Sequence, residues 1–101
     1  MDKLEIIKRI SQIRIDAHLS ARALSQKIGM NDGYINRLES KKDFLPRLET
    51  LLDILEVCGV SVEHFFYYDY ASYDKDMQIL TQLKKIDYEK KSLLLELMKK
   101  L

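Results

Sequence analysis

Apolar residues recur along this chain at spacings of three and four, the period of one face of an α-helix. The first 20 residues show the spacing clearly, at Ile6, Ile10, Ile13 and Ala17. Asp2 is followed three residues later by Glu5, a capping-box pattern that starts a helix close to the N-terminus. We therefore predict a first helix that buries this face, with Arg14 on the same side.

Two short helices joined by a tight turn are predicted next, in the stretch SARALSQKIGMNDGYINRL from Ser20 to Leu38. Ser20 is a favourable N-cap for the second helix, Gly29 suits its C-terminal end, and Asn31 is expected to cap the third. The inward positions are expected at Leu24, Ile28, Ile35 and Leu38. Solvent positions are expected at Arg22, Ser25, Gln26 and Lys27 on the second helix, and at Asp32, Tyr34, Asn36 and Arg37 on or near the third.

The remaining pattern predicts four more helices. A fourth, from about residue 46 to 58, is apolar on nearly two faces at Leu48, Leu51, Leu52, Ile54 and Leu55. Ser61 caps a short fifth helix, whose Phe65 and Phe66 are expected to close the core. The sixth spans residues 74–84, and Asp87 caps the seventh. The fold class is therefore all-α, with a domain at residues 1–66, a tyrosine-rich linker at 67–73 and a C-terminal helical segment at 74–101.

Composition supports a globular helical protein: 47% of the residues are apolar, 33% are charged, and there are only three Gly and one Pro. No apolar run approaches the ~18 residues of a membrane span, so we expect no membrane association. The single Cys excludes an internal disulfide framework and is typical of a reducing compartment, which predicts a cytoplasmic protein.

The charge is unevenly distributed, although its net value is only +1. Residues 3–47 contain ten basic and five acidic residues, whereas residues 48–66 contain four acidic residues and no Lys or Arg. Such polarisation steers a protein onto a polyanion in one orientation. The positive half includes the predicted pair of short helices.

These stretches resemble the Cro and lambda-repressor type of helix-turn-helix protein, the XRE family. The resemblance covers roughly residues 10–66 and rests on LSARALSQKIG, YINRLES, PRLETLLDIL and GVSVEHFF, in this order. It implies a five-helix lambda-repressor-like domain, here followed by two C-terminal helices, whose third helix reads double-stranded DNA in the major groove. It also implies a repressor that binds a palindromic operator as a homodimer, and a structural ion pair between Arg14 and Glu39.

The resemblance is imperfect at three positions. Ala21 stands where many members have a Gln that reaches DNA, and Gly33 where they often have a base-reading side chain. Lys41 replaces a frequent Gly, so we expect either a strained left-handed backbone or a different loop there. Gly33, placed inside the third helix, would cost about 1 kcal/mol relative to Ala.

Candidate DNA contacts follow from the face that the third helix exposes. The predicted base contacts are Asp32, Gly33, Asn36 and Arg37. The predicted contacts to the DNA backbone are Ser20, Arg22, Asn31, Tyr34, Lys41 and Lys42. The alternative for Asn36 and Arg37 is simple solvent exposure, and the alternative for Tyr34 is partial burial. Asp32 either accepts a hydrogen bond from cytosine N4 or only supports the helix N-terminus.

The C-terminal helices carry more apolar surface than one contact would bury. We expect them to form a dimer interface through Tyr73, Met77, Leu80, Leu94, Leu97, Met98 and Leu101. The alternative is that they fold back onto the fifth helix. A second functional reading is an antitoxin-like protein that neutralises a protein partner, such as a toxin or an antirepressor, and regulates itself through the same helix-turn-helix.

The sequence does not favour catalysis. His18, His64 and Cys58 lie on different predicted helices, without the spacing of a zinc site or of a nucleophile beside its base. We expect no enzymatic activity, no metal and no cofactor.

Overall fold

The structure, a computed structural model that describes residues 1–101, is 69% helical and has no strands. The all-α prediction is confirmed. The helices are α1 (Lys3–Asp16), α2 (Ala21–Lys27), α3 (Tyr34–Lys41), α4 (Leu48–Cys58), α5 (Val62–Phe65), α6 (Tyr73–Leu83) and α7 (Tyr88–Lys99), with a 3-10 turn at Tyr70–Ser72. They form two compact units, Met1–Phe66 and Tyr67–Leu101.

Hydrogen bonds from neighbouring residues define both ends of helix α1. The Asp2 carboxylate accepts a hydrogen bond from the Glu5 amide at 2.9 Å, which satisfies one of the free amides of the first turn. At the other end His18 adopts a left-handed conformation with φ 59°, and the Leu19 amide donates to the Arg14 carbonyl at 3.1 Å. This is the hydrogen bond of a Schellman motif, which turns the chain towards α2.

The core of the first unit is formed by α1 and α2, which each pack against α3 and α4, and by α5, which packs against α4. Its buried apolar side chains are Ile7, Ile10, Ile13, Leu24, Tyr34, Ile35, Leu38, Leu51, Ile54, Leu55 and Phe65. Three expectations about this core are wrong. Ile7 is buried in place of Ile6, Phe66 is exposed whereas Phe65 is fully buried, and Leu48 and Leu52 of α4 are exposed. Helix α4 thus buries one face and leaves the other open.

Arg9 is a buried charged residue that the apolar pattern did not reveal. Only 7% of its surface is exposed, and its Nη1 donates to the Phe65 carbonyl at 2.7 Å. That carbonyl belongs to the last residue of α5, where helical carbonyls lack intrahelical partners. Arg9 therefore ties α1 to the C-terminal end of α5.

The second unit contains α6 and α7 and has no buried residue. Helix α6 begins at Tyr73, within the predicted linker, and Asp87 caps α7 by accepting from the Lys90 amide at 2.9 Å. The Tyr67 hydroxyl donates to the Asp76 carboxylate at 2.6 Å, and this hydrogen bond raises the pKa of Tyr67 to about 12. None of the helices in either unit has the length and apolar character of a membrane span.

Candidate nucleic-acid interface

Helices α2 and α3 pack against each other and are joined by a tight turn. Ser20 caps α2 by accepting from the Ala23 amide at 2.9 Å, as predicted. Gly29 follows α2 in a left-handed conformation with φ 75°, and the Met30 amide closes the turn by donating to the Ser25 carbonyl at 2.9 Å. A side chain at residue 29 would meet no neighbour, so backbone conformation alone favours Gly there.

The N-terminus of α3 differs from the prediction. Asn31 is not its N-cap: the helix starts at Tyr34, and Gly33 holds the capping position with φ −92°. The Asn31 side chain instead closes a turn by accepting from the Gly33 amide at 3.2 Å, and its carbonyl accepts from the Tyr34 amide at 3.0 Å. Because Gly33 precedes the helix, the predicted cost of an interior glycine does not apply, and Gly is tolerated at an N-cap.

Ser25 provides the cap that Gly33 cannot supply. It was expected in solvent but is fully buried, because its hydroxyl lies between α2 and α3. The Oγ accepts from the Ile35 amide at 3.0 Å and donates to the Ala21 carbonyl at 2.8 Å. The Ile35 amide is in the first turn of α3 and has no intrahelical partner. A single buried hydroxyl thus fixes α3 against α2.

Tyr34 is also placed differently from the prediction. Its side chain is 9% exposed and packs edge-on against Phe44, with 5.8 Å between ring centroids. Burial raises the pKa of Tyr34 above its ordinary value. The ring therefore belongs to the core side of α3, and the predicted contact with the DNA backbone has little side-chain surface to use.

Arg14 and Glu39 are brought together across the core. Nε and Nη2 of Arg14 each donate to one Glu39 oxygen at 2.8 Å, and Nη1 donates to the Leu19 carbonyl at 2.9 Å. The hydrogen bonds to Glu39 raise the pKa of Arg14 above its ordinary value. Only 16% and 19% of the two side chains is exposed. The pair joins α1 to the last turns of α3 and so sets the direction of that helix.

The polar side chains opposite this core are exposed. Asp32, Asn36 and Arg37 all face solvent, in or beside α3. Arg37 Nη2 donates to the Asn31 Oδ1 at 3.3 Å, which aims the guanidinium along the start of the helix. An arginine and an asparagine on one exposed helical face are the side chains that most often read guanine and adenine in the major groove.

The Asp32 carboxylate contacts two side chains of α2. Arg22 Nη2 lies 3.2 Å from its Oδ2, and Gln26 Nε2 donates to its Oδ1 at 3.2 Å. Gln26 is exposed, as expected, but sequence reasoning missed it as a member of the site. The signal was present, because Arg22 and Gln26 are four residues apart and therefore share one face of α2.

The loop after α3 presents two adjacent lysines. Both Lys41 and Lys42 are exposed, as a phosphate contact requires. A left-handed backbone, one of the two alternatives for Lys41, occurs instead at Lys42, with φ 57° and ψ 28°. Lys41 is the last residue of α3, so the helix extends to the position where family members often have Gly.

Besides the candidate DNA-binding face, the chain has residues of the types that bind metal ions or act as nucleophiles. No group of three or more His, Cys, Asp or Glu residues is arranged to hold a metal ion. Cys58 is a free, half-buried thiol, and burial raises its pKa. A thiol of this kind is a poor nucleophile at neutral pH.

Helices α2 and α3 are packed into the core and expose a polar, partly basic face. This arrangement defines a helix-turn-helix protein that binds DNA. The family model for helix-turn-helix domains of the Cro/C1 type matches residues 10–65, more than half of the chain. The chain therefore belongs to the XRE family of helix-turn-helix regulators, which are not generally enzymes. Neither the curated proteins nor the solved structures give a significant match.

Proposed function

We propose that the protein is a transcriptional repressor, which occupies a palindromic operator as a homodimer with α3 of each copy in the major groove. The observation that carries this proposal is the exposed face of α3, with Asn36 and Arg37 held at a defined angle by the half-buried Arg14–Glu39 pair. Base readout requires this kind of rigidity, because a hydrogen bond to a base edge depends on position within a few tenths of an ångström.

The proposed base contacts are Arg37, Asn36, Asp32 and the Gly33 backbone. Arg37 suits the O6 and N7 acceptors of guanine, and Asn36 suits adenine; each bidentate contact discriminates by about 1–3 kcal/mol. Gly33 carries no side chain, so its backbone can approach the groove closely. Within α3 itself, side-chain readout then depends on Arg37 and Asn36.

The proposed backbone contacts surround this face. Ser20, Arg22 and Asn31 lie at the start of α2 and in the turn, and Lys41 and Lys42 lie at the end of α3, all of them exposed. Each phosphate that a basic side chain neutralises lowers the slope of log K against log salt by about 0.9 on duplex DNA. We expect binding that is strongly salt-dependent although the net charge is only +1.

We assign pairing of two copies to the C-terminal unit, through Tyr73, Met77, Leu80, Leu94, Leu97, Met98 and Leu101. None of these side chains is buried, and Leu97, Met98 and Leu101 are more than half exposed. A two-helix hairpin without a buried residue has little hydrophobic stabilisation of its own. Pairing two hairpins into a four-helix arrangement would bury these side chains.

The same open surface supports the alternative function. A groove between α6 and α7 is lined by Leu80, Leu83, Leu94, Leu95 and Met98, with Lys84 and Lys91 beside them. A helix of a toxin-like partner could occupy this groove in place of a second copy. In that case the protein would be an antitoxin, and DNA binding would serve its own regulation.

Two measurements on the full chain test the proposal. In selection from a random DNA pool, we expect a palindrome whose half-site centres are one helical turn apart or a multiple of it, about 34 Å per turn. In sedimentation, we expect a dimer that Leu94→Glu converts to monomer, whereas the control Lys75→Glu leaves it dimeric. A pool without enrichment would refute DNA recognition. A monomeric wild-type chain at concentrations that saturate DNA would refute this mode of pairing and favour the alternative.

A further inference from the structure

The carboxylate of Asp32 is the only negative charge among the side chains proposed to face DNA. Both of its oxygens are engaged by α2, with Arg22 at 3.2 Å on one and Gln26 at 3.2 Å on the other. The arginine is 72% exposed and the aspartate 56%, so water screens the pair. Exposed ion pairs of this kind hold side chains weakly and exchange partners readily.

Approach to DNA changes the balance at this pair. The contact to Asp32 uses Nη2 alone, so other guanidinium donors are available to a phosphate, but the charges of Arg22 and Asp32 cancel while they are paired. Arg22 therefore contributes its full positive charge to a phosphate only when it releases Asp32. The released carboxylate would then face a groove lined by phosphates and would need another donor. Retention of the pair, in contrast, leaves one phosphate without its arginine.

Base edges differ in whether they can supply that donor. In the major groove cytosine presents only an N4 amino group and adenine presents N6 beside an acceptor, whereas guanine and thymine present acceptors. An aspartate is therefore well matched by cytosine and repelled by the acceptor edges. The energetic value of the Arg22–phosphate contact is thus coupled to the base opposite Asp32.

We propose that Asp32 is a specificity-determining residue. Arg22 moves from its ion pair with Asp32 to a DNA phosphate, and cytosine opposite Asp32 favours this move. This inference rests on the proposed function and adds a linkage between two contacts to it. Where the base lacks an amino group, Asp32 retains Arg22 and the phosphate contact is not made. The carboxylate therefore weakens binding to unselected DNA more than binding to the operator.

The test compares the full-length wild type with Asp32→Asn, which keeps the shape of the side chain and removes its charge. Asp53→Asn is the matched control, because it makes the same charge change at an exposed position of α4. Affinity is measured by fluorescence anisotropy, over a range of salt concentrations, on the selected operator and on duplexes with each other base at the position opposite Asp32.

For the wild type we expect discrimination in favour of cytosine of about 5- to 150-fold, the range of one good base contact. In Asp32→Asn this preference should fall to a few-fold or move to adenine, which an amide recognises. On unselected DNA, the slope of log K against log salt should become steeper by about 0.9, the value of one additional phosphate contact. Adding Arg22→Ala to Asp32→Asn should reverse the steeper slope.

Two outcomes would overturn the proposal, and they differ. If the wild type prefers no sequence, the proposed function fails and the coupling fails with it. If the wild type is specific but Asp32→Asn matches Asp53→Asn in base preference and salt slope, DNA recognition stands and the role of Asp32 is wrong.

Discussion

Replacing Arg14 by methionine should destabilise the protein strongly. The substitution keeps the aliphatic part of the side chain but removes two hydrogen bonds to Glu39, each 2.8 Å long, and one to the Leu19 carbonyl at 2.9 Å. It also leaves the Glu39 carboxylate, which is 19% exposed, without its cation. The main cost is therefore the unpaired charge.

The size of this effect can be bounded. Removing one partner from a fully buried ion pair costs about 3–5 kcal/mol, and a hydrogen bond to a charged group contributes about 1.5–3 kcal/mol. Because about a sixth to a fifth of each side chain reaches solvent, we expect about 2–4 kcal/mol for Arg14→Met. For a domain of this size, that lowers Tm by about 10–25 °C.

Thermal and urea unfolding of the full chain, followed by circular dichroism, measure this loss. Lys8→Met is the control, because it removes a positive charge at an exposed position of the same helix and should change stability by less than about 0.5 kcal/mol. The double variant Arg14→Met with Glu39→Met should recover part of the loss, since it leaves no unpaired carboxylate. A change within about 0.5 kcal/mol for Arg14→Met would refute the reasoning, because the pair would then contribute no more than a surface contact.

Two further substitutions test other parts of the fold. Ser25→Ala should lower the free energy of unfolding, measured in urea, by about 1–3 kcal/mol, because the buried Ile35 amide loses its acceptor. Ser40→Ala, at an exposed position, should lower it by almost nothing. Equal losses in the two variants would contradict the capping role of Ser25. His18→Gly should raise stability by about 0.5–1 kcal/mol, because residue 18 has a positive φ that glycine adopts without strain. Ala17→Gly is its control at a negative φ and should lower Tm, so a fall in both variants would refute the argument from strain.

The fold of residues 1–66 could be predicted from the sequence because its signals are local. Caps such as Ser20 and Ser61 satisfy amides within their own turn, and Gly29 ends α2 by its own backbone conformation. Each of these features depends on a few consecutive residues, so periodicity and turn chemistry were sufficient.

Two of the errors concern residues whose environment depends on a partner ten residues away in the sequence. Ser25 is a polar residue on the polar side of α2, and only the position of the Ile35 amide explains its burial. Tyr34 is similar, because its environment depends on where the loop places Phe44. The face of α4 that is buried also depends on the placement of the other helices. Periodicity gives the apolar side of a helix but not how much of that side its neighbours cover.

The candidate site was predicted as a set of residues but not as a network. The exposure of Asn36, Arg37, Lys41 and Lys42 follows from helical spacing. The spacing of Arg22 and Gln26 places them on one face of α2, but their contacts with Asp32 also require the relative placement of α2 and the turn, which the spacing does not give.

The most direct test of the central claim is the affinity of the full chain and of Arg37→Ala for the selected operator, with Lys8→Ala as the control. If α3 reads bases through Arg37, the variant should bind about 5- to 150-fold more weakly and should lose its preference for guanine at one position in each half-site. Lys8→Ala should keep the sequence preference of the wild type. Unchanged affinity and unchanged preference in Arg37→Ala would contradict the account, because α3 would then not be the helix that reads the operator.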